Sequence, residues 1–163
     1  MRVLIVDDEP GIRKTTRIAV ETAGHTAAEA PNGLRVQKLL DEEAFDAVFL
    51  DVKLGSDDGL EVLAKLLKIQ PGLAVVMVTA YANIATAVEA MRRGAYDFVP
   101  KPFTPDQIRG VLAKIEKNRA LETRVRSLES ELAREAPPVD LESSEPTTRR
   151  ALDEYAVLGV TTN

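Results

Sequence analysis

The chain of 163 residues contains no cysteine, no tryptophan and one histidine. Without thiols, a disulfide framework, a thiolate zinc site and thiol catalysis are all excluded. Aromatic residues make up only 4% of the sequence. A basic excess is also missing: 26 Asp and Glu against 21 Lys and Arg leave a net charge of −5. With both signs mixed and no basic cluster, bulk charge gives no footing for direct nucleic-acid contact. No apolar run approaches the length of a membrane span. The N-terminus lacks the charged, apolar and small-residue zones of a signal peptide. The expectation is a soluble cytoplasmic protein without membrane contact. Apolar residues amount to 45%, enough for a core, and the length suits one ordinary domain plus an appendage.

Short apolar runs alternate with amphipathic stretches. The runs are RVLIV (2–6), TAAEA (26–30), DAVFL (46–50), LAVVMV (73–78) and YDFV (96–99). Compact β-branched runs closed by polar or turn residues are the pattern of strands buried in a parallel sheet. TAAEA is the weakest and is expected at an edge. Between the runs lie helical periodicities. Ile12, Thr16, Ala19, Val20 and Ala23 share a face before Gly24. Leu34, Lys38 and Asp41 mark a second helix after Pro31-Asn32-Gly33. Leu60, Leu63, Leu67 and Ile69 mark a third, and Ile84, Val88 and Met91 a fourth. A fifth starts after Thr104, with Pro105 suited to the first helical position. Five strand-then-helix repeats predict an α/β fold, a doubly wound five-stranded parallel sheet with helices on both faces.

The fifth helix is expected to run on to about Glu135 as a C-terminal helical extension. Ile108, Leu112 and Ile115 form one apolar row, and Leu121, Val125, Leu128 and Leu132 another. The step of six from Ile115 to Leu121 breaks a heptad, so two seams are expected. The first packs on the domain. The second is the dimer seam of a parallel homodimer, although a lone helix folded onto its own domain would show the same stripe. Ala136-Pro137-Pro138 ends the helix. A polar linker follows, then a short helical pattern around Ala151, Leu152, Tyr155 and Leu158 that is too short to bury a core.

In doubly wound sheets ligands bind beyond the carboxyl ends of the strands. Those ends carry Asp7, Asp8, Asp51, Thr79 and Lys101. Carboxylates so close in sequence repel one another unless a cation offsets them. Oxygen donors without His or Cys suit Mg²⁺. Carboxylates, a hydroxyl and an ammonium together describe a phosphoryl site. Asp51, solitary on the central strand, is the candidate nucleophile that becomes an aspartyl phosphate. Asp7 and Asp8 are the candidate metal ligands.

With VDDEP around Asp7 and Asp8, FLDVKL around Asp51, MVTAYA around Thr79 and AMRRGAYDFVPKPF around Phe98 and Lys101, the chain resembles a two-component response-regulator receiver domain over residues 1–118. The resemblance implies the flavodoxin-like receiver fold. It implies Mg²⁺ binding by Asp7, Asp8, Asp51 and the main-chain carbonyl of Lys53. It also implies phosphorylation of Asp51 by a phosphohistidine on a sensor histidine kinase, Thr79 and Phe98 as a switch pair, and Lys101 as the phosphate contact. Gly55 departs from the family, many of whose members carry Pro there. Lys53 and Tyr81, each two residues beyond a site residue, are expected to tune the phosphoryl lifetime.

With LESSEPTTRRALDEYAVLGVTTN (141–163), the downstream part resembles the NtrC subfamily of sigma-54 activators, in which a receiver is joined by a helical linker to a AAA+ ATPase that this segment would enter. This implies a coiled-coil linker helix over 119–136, then a polar linker and the start of an incomplete AAA+ domain over 137–163. The GxxxxGK phosphate loop is missing from the sequence, so the expected catalysis is limited to the chain's own phosphorylation and dephosphorylation.

Plainer readings stand beside these. Asp7 and Asp8 alone could be a solvated strand end. His25 is expected to be an exposed loop residue and not a phosphorelay group, and Arg149-Arg150 a solvated helix face. Two other functions compete: an Mg²⁺-dependent phosphohydrolase with an aspartate nucleophile, and a stand-alone receiver whose tail only dimerises. The hydrolase needs an acid two residues after its nucleophile to protonate the leaving group; here that position is Lys53.

Overall fold

The structure is a computed structural model that describes residues 1–80 and 84–135. Tyr81 and the segment 136–163, with its expected linker and short helical pattern, lie outside the described residues. The chain divides into two compact units, Met1–Ala120 and Leu121–Asn163.

The first unit is built from β1 (Arg2–Val6), α1 (Pro10–Thr22), β2 (Thr26–Ala30), α2 (Gly33–Glu42) and β3 (Ala47–Asp51). Then come a small hairpin of β4 (Lys53–Leu54) and β5 (Asp57–Asp58), α3 (Gly59–Ile69), β6 (Ala74–Thr79), α4 (Ile84–Arg92), β7 (Asp97–Pro100) and α5 (Pro105–Glu135). Five strands form one parallel sheet in the order β2-β1-β3-β6-β7. The weak TAAEA strand is an edge and β3 is central, in line with the sequence pattern. The hairpin has no counterpart among the expected elements. It turns on Gly55, whose φ of +60 is closed to proline.

Strand residues point alternately to the two faces, and each face is buried. Leu4, Val6, Val48, Leu50, Val75 and Met77 meet α2, α3 and α4. Val3, Ile5, Ala47, Phe49, Val76 and Val78 meet α1 and α5. This two-sided burial is why the strands read as continuous apolar runs.

Helix starts follow local chemistry. The Asn32 side chain accepts from Arg35 N at 2.9 Å, capping α2. Thr104 and Gln107 exchange side-chain and backbone hydrogen bonds at 2.8 and 3.2 Å, a capping box ahead of α5. Helix faces were less legible. The buried face of α2 is Val36 and Leu39, whereas Leu34 is 69% exposed. In α4 only Ala90 is buried, and Ile84, Val88 and Met91 stand in solvent. Periodicity locates an apolar stripe but does not say what the stripe meets.

The two rows of α5 differ in exposure. Ile108, Leu112 and Ile115 are buried, whereas Leu121, Val125, Leu128 and Leu132 are 50–68% exposed.

His25 departs from its expected place in an exposed loop. Its side chain is only 6% exposed, and Nδ1 lies 3.0 Å from the Met1 amine. Parallel pairing of Arg2 with Thr26 brings Met1 beside it, a contact no local pattern announces. This is the amino edge of the sheet, opposite the Asp51 edge.

Candidate functional site

β1 and β3 are neighbours whose carboxyl ends open the crevice. Asp7 and Asp8 follow β1, and Asp51 is the last residue of β3. Asp7 is 2% and Asp51 6% exposed, while Asp8 faces solvent. One carboxylate oxygen from each of the three falls within 4.8 Å of the others. Hard oxygen donors at this spacing, two of them buried, fit a small divalent cation.

Lys101, just after β7, closes the site from the other side. Its Nζ is 2.8 Å from Asp7 Oδ2, 3.1 Å from Asp51 Oδ2 and 3.7 Å from Glu9 Oε1. Its position is set by backbone pairing, since Lys101 N donates to Thr79 O at 2.6 Å. The Lys101–Pro102 peptide is cis. Thr79 ends β6, next to β3 in the sheet, and is 4% exposed. Phe98, opposite Met77 in the sheet, is partly buried against the core formed with α2, α3 and α4.

Backbone donors fix the carboxylates. Asp51 Oδ1 accepts from Lys53 N at 3.2 Å, and Asp7 Oδ1 from Glu9 N at 2.9 Å. Arg13 Nη1 donates to Asp7 O at 2.7 Å. Glu9 and Arg13 received no role from the sequence. Glu9 directly follows Asp8 in VDDEP, but its proximity to Lys101 depends on the pairing of distant strands.

The electrostatics are those of a site short of positive charge. Burial pushes the Asp51 carboxyl above its ordinary value. Bonds from Lys101 and the Lys53 amide pull the other way, and the Asp7 charge adds to the rise. Burial would lower the Lys101 ammonium, but its bonds to Asp7 and Asp51 outweigh this and raise it. One ammonium thus serves two buried carboxylates, and an added cation would relieve the remaining repulsion.

The loop after Asp51 is held close. A Cβ on Gly59 would lie 2.2 Å from Asp51 O and 2.7 Å from Val52 Cα. Gly59 N donates to Val52 O at 2.8 Å. Asp57, on the hairpin, accepts from Gly33 N at 3.0 Å and ties the loop to the start of α2.

The response regulator receiver domain family matches residues 3–113. The chain belongs to this family. It is 41% identical over 152 residues to the alginate biosynthesis transcriptional regulatory protein AlgB of Pseudomonas aeruginosa, covering 93% of this chain and 33% of that protein. The regulatory protein AtoC of Escherichia coli is 32% identical over 132 residues, covering 81% of this chain and 29% of AtoC. This chain therefore spans about a third of the length of these relatives. Among solved structures, NtrX from Brucella abortus superposes with a TM-score of 0.74 at 36% identity, over 78% of this chain and 29% of NtrX. The separate NtrX receiver domain gives 0.67 at 38% identity, over 69% of this chain and 96% of that one. The fold is that of the flavodoxin-like receivers, and the relatives accord with the NtrC-like resemblance.

Proposed function

We propose that this receiver accepts a phosphoryl group on Asp51 from a phosphohistidine of a sensor histidine kinase. The observation that carries the reading is Lys101 bridging Asp7 and Asp51, with Asp8 beside them. An Asp51 oxygen attacks phosphorus, the P–N bond breaks, and the imidazole leaves neutral with a proton on its other nitrogen. Mg²⁺, held by Asp7, Asp8, Asp51 and the main-chain carbonyl of Lys53, would neutralise charge on the phosphoryl oxygens. Lys101 pairs with one of those oxygens and the Thr79 hydroxyl donates to another. Thr79 then moves inward and Phe98 fills the space it leaves, a population shift driven by the new dianion.

The output belongs to a longer protein. AlgB is by name a transcriptional regulator about three times as long as this chain. We place this chain as residues 1–118 of receiver, 119–136 of linker helix, and 137–163 leading into a AAA+ domain of a cytoplasmic sigma-54 activator. The Leu121, Val125, Leu128 and Leu132 row is its homodimer seam, and phosphorylation changes the arrangement of the dimer. The chain acts as a switch and not as a turnover enzyme.

The test is incubation with acetyl phosphate, with and without Mg²⁺, beside a generic phosphate monoester. A Mg²⁺-dependent acyl phosphate without monoester turnover is expected. Sustained monoester hydrolysis would favour the phosphohydrolase.

A further inference from the structure

The buried row of α5, Ile108, Leu112 and Ile115, is followed at its next position by Arg119. Apolar packing of the helix ends there and polar ties replace it. Arg119 Nη2 lies 2.8 Å from Asp46 Oδ1, and its Nη1 donates to Asp46 O at 3.4 Å. Asn118 Nδ2 donates to the Tyr96 hydroxyl at 2.5 Å. Glu116 Oε2 is 3.9 Å from Nε2 of His25. Lys114, one turn earlier, lies 3.8 Å from Asp97 and over the Tyr96 ring.

The three receiving residues share a place in the fold. His25, Asp46 and Tyr96 each immediately precede a strand: β2, β3 and β7. Asp46 is itself held to the Arg2 backbone through both its main chain and its side chain. Its N donates to Arg2 O at 2.8 Å, and Oδ2 accepts from Arg2 N at 2.7 Å. It therefore follows the sheet. Five positions on from Asp46, across β3, is Asp51, and five on from Tyr96, across β7, is Lys101. At about 3.3 Å per residue each span is roughly 16 Å of paired strand. Two residues of the phosphoryl site and two holders of the helix are thus opposite ends of the same two strands.

We propose that Asp46 and Tyr96, with His25 alongside, form a clasp on the turn Glu116–Arg119, and that this clasp makes that turn follow the sheet when the site is occupied. The clasp rests on the receiver reading for its input, but its grip on the helix does not. Arg119 and Asp46 are half-exposed, with 46% and 31% of their side-chain surface accessible. Such surface pairs contribute little to global stability. What they set is the local grip on a helix that has run out of apolar contacts, so their loss appears as fraying of that turn and not as unfolding. None of the clasp residues touches the phosphoryl site; Asp46, Tyr96, Asn118 and Arg119 act by position.

The experiment is amide exchange on the full chain, with and without beryllofluoride and Mg²⁺. It compares the parent with Arg119→Ala, Tyr96→Phe, the double variant and Arg119→Lys. Tyr96→Phe removes a single hydroxyl and guards against a variant that merely misfolds. The double variant is expected to exchange several-fold faster over 116–124 without the mimic. It should lose the mimic-dependent change in that segment and keep the change over 84–99. Arg119→Lys should recover part of the protection. Parent-like exchange over 116–124 in the double variant, or a mimic-dependent change that persists there, would overturn the clasp. If the parent shows no response over 84–99, the switching reading fails. The mimic-free comparison still decides the clasp: faster exchange upholds the grip and unchanged exchange refutes it.

Discussion

Lys101 Nζ stands 3.1 Å from Asp51 Oδ2 while holding Asp7 Oδ2 at 2.8 Å. Its side chain is 9% exposed, so this one ammonium neutralises two carboxylates largely out of water. Lys101→Ala leaves them facing each other, and removing one partner of a buried pair costs about 3–5 kcal/mol. The variant should unfold at clearly lower urea, and Mg²⁺ should restore part of the loss. The Lys101 ammonium is raised above the ordinary lysine value of 10.5. Its stabilisation is therefore complete below that pH and is lost as pH rises through the higher folded value. A urea midpoint in the parent that is flat across this range would contradict the assignment.

Asp51→Asn carries the opposite sign. The Asp51 carboxyl is raised above 3.8, chiefly by burial, so the folded state disfavours its ionised form. Its contribution to stability falls as pH rises from 3.8 through the folded value. At neutral pH without metal, Asp51→Asn should be more stable than the parent. Added Mg²⁺ should stabilise the parent more than the variant, because the metal binds the folded form through this oxygen. Chemical denaturation with and without Mg²⁺ measures both differences. Equal metal effects on the two proteins would remove Asp51 from the ligand set.

Gly59 has no room for a methyl group. The atoms it would strike, Asp51 O and Val52 Cα, are backbone and cannot rotate away. Gly59→Ala should cost about 1–3 kcal/mol or more, as overpacking does, and should slow labelling of Asp51 by displacing its loop. Gly110, inside α5 with open space where a methyl group would stand, is the control. Gly110→Ala should stabilise by up to about 1 kcal/mol through helix propensity. Paired thermal melts would show opposite shifts.

The exposed row on α5 predicts association. Leu121, Val125, Leu128 and Leu132 are each at least half-exposed on the described chain. A second copy would cover them with the a/d-like spacing of a coiled coil. So short a coil is marginal alone, so receiver contacts through the 84–118 surface should contribute. Sedimentation of the intact chain should show a dimer at tens of micromolar, roughly, and Leu128→Asp should shift it to monomer. A parent that sediments as monomer, or a variant as dimeric as the parent, would dismiss the seam.

Much of this was legible because it is local or periodic. The strands stood out because two-sided burial writes apolar runs, with boundaries such as 46–50 against Ala47–Asp51 differing by one residue. Asp7, Asp8, Asp51, Thr79 and Lys101 were legible because doubly wound topology sends every strand end to one crevice. What escaped depends on distant pairing. His25 is covered by Met1 because β1 and β2 run in register. Glu9 reaches Lys101 only once β7 is in place. The solvent-facing stripe of Ile84, Val88 and Met91 was visible as a stripe, but its direction depends on which face of α4 meets the sheet, and that is the face of the buried Ala90. The hairpin at Gly55 and Ser56 was not expected, and its tie through Asp57 to Gly33 spans two elements.

The central claim is that Asp51 is the phosphoacceptor. The direct measurement is peptide mapping of the acyl phosphate after acetyl phosphate and Mg²⁺ treatment of the parent and of Asp51→Asn, with reductive trapping of the labelled carboxyl. One phosphoryl group on the peptide containing Asp51 in the parent, and none anywhere in Asp51→Asn, is the predicted result. Undiminished labelling of Asp51→Asn, or a label in the parent trapped at Asp7 or Asp8, would contradict it.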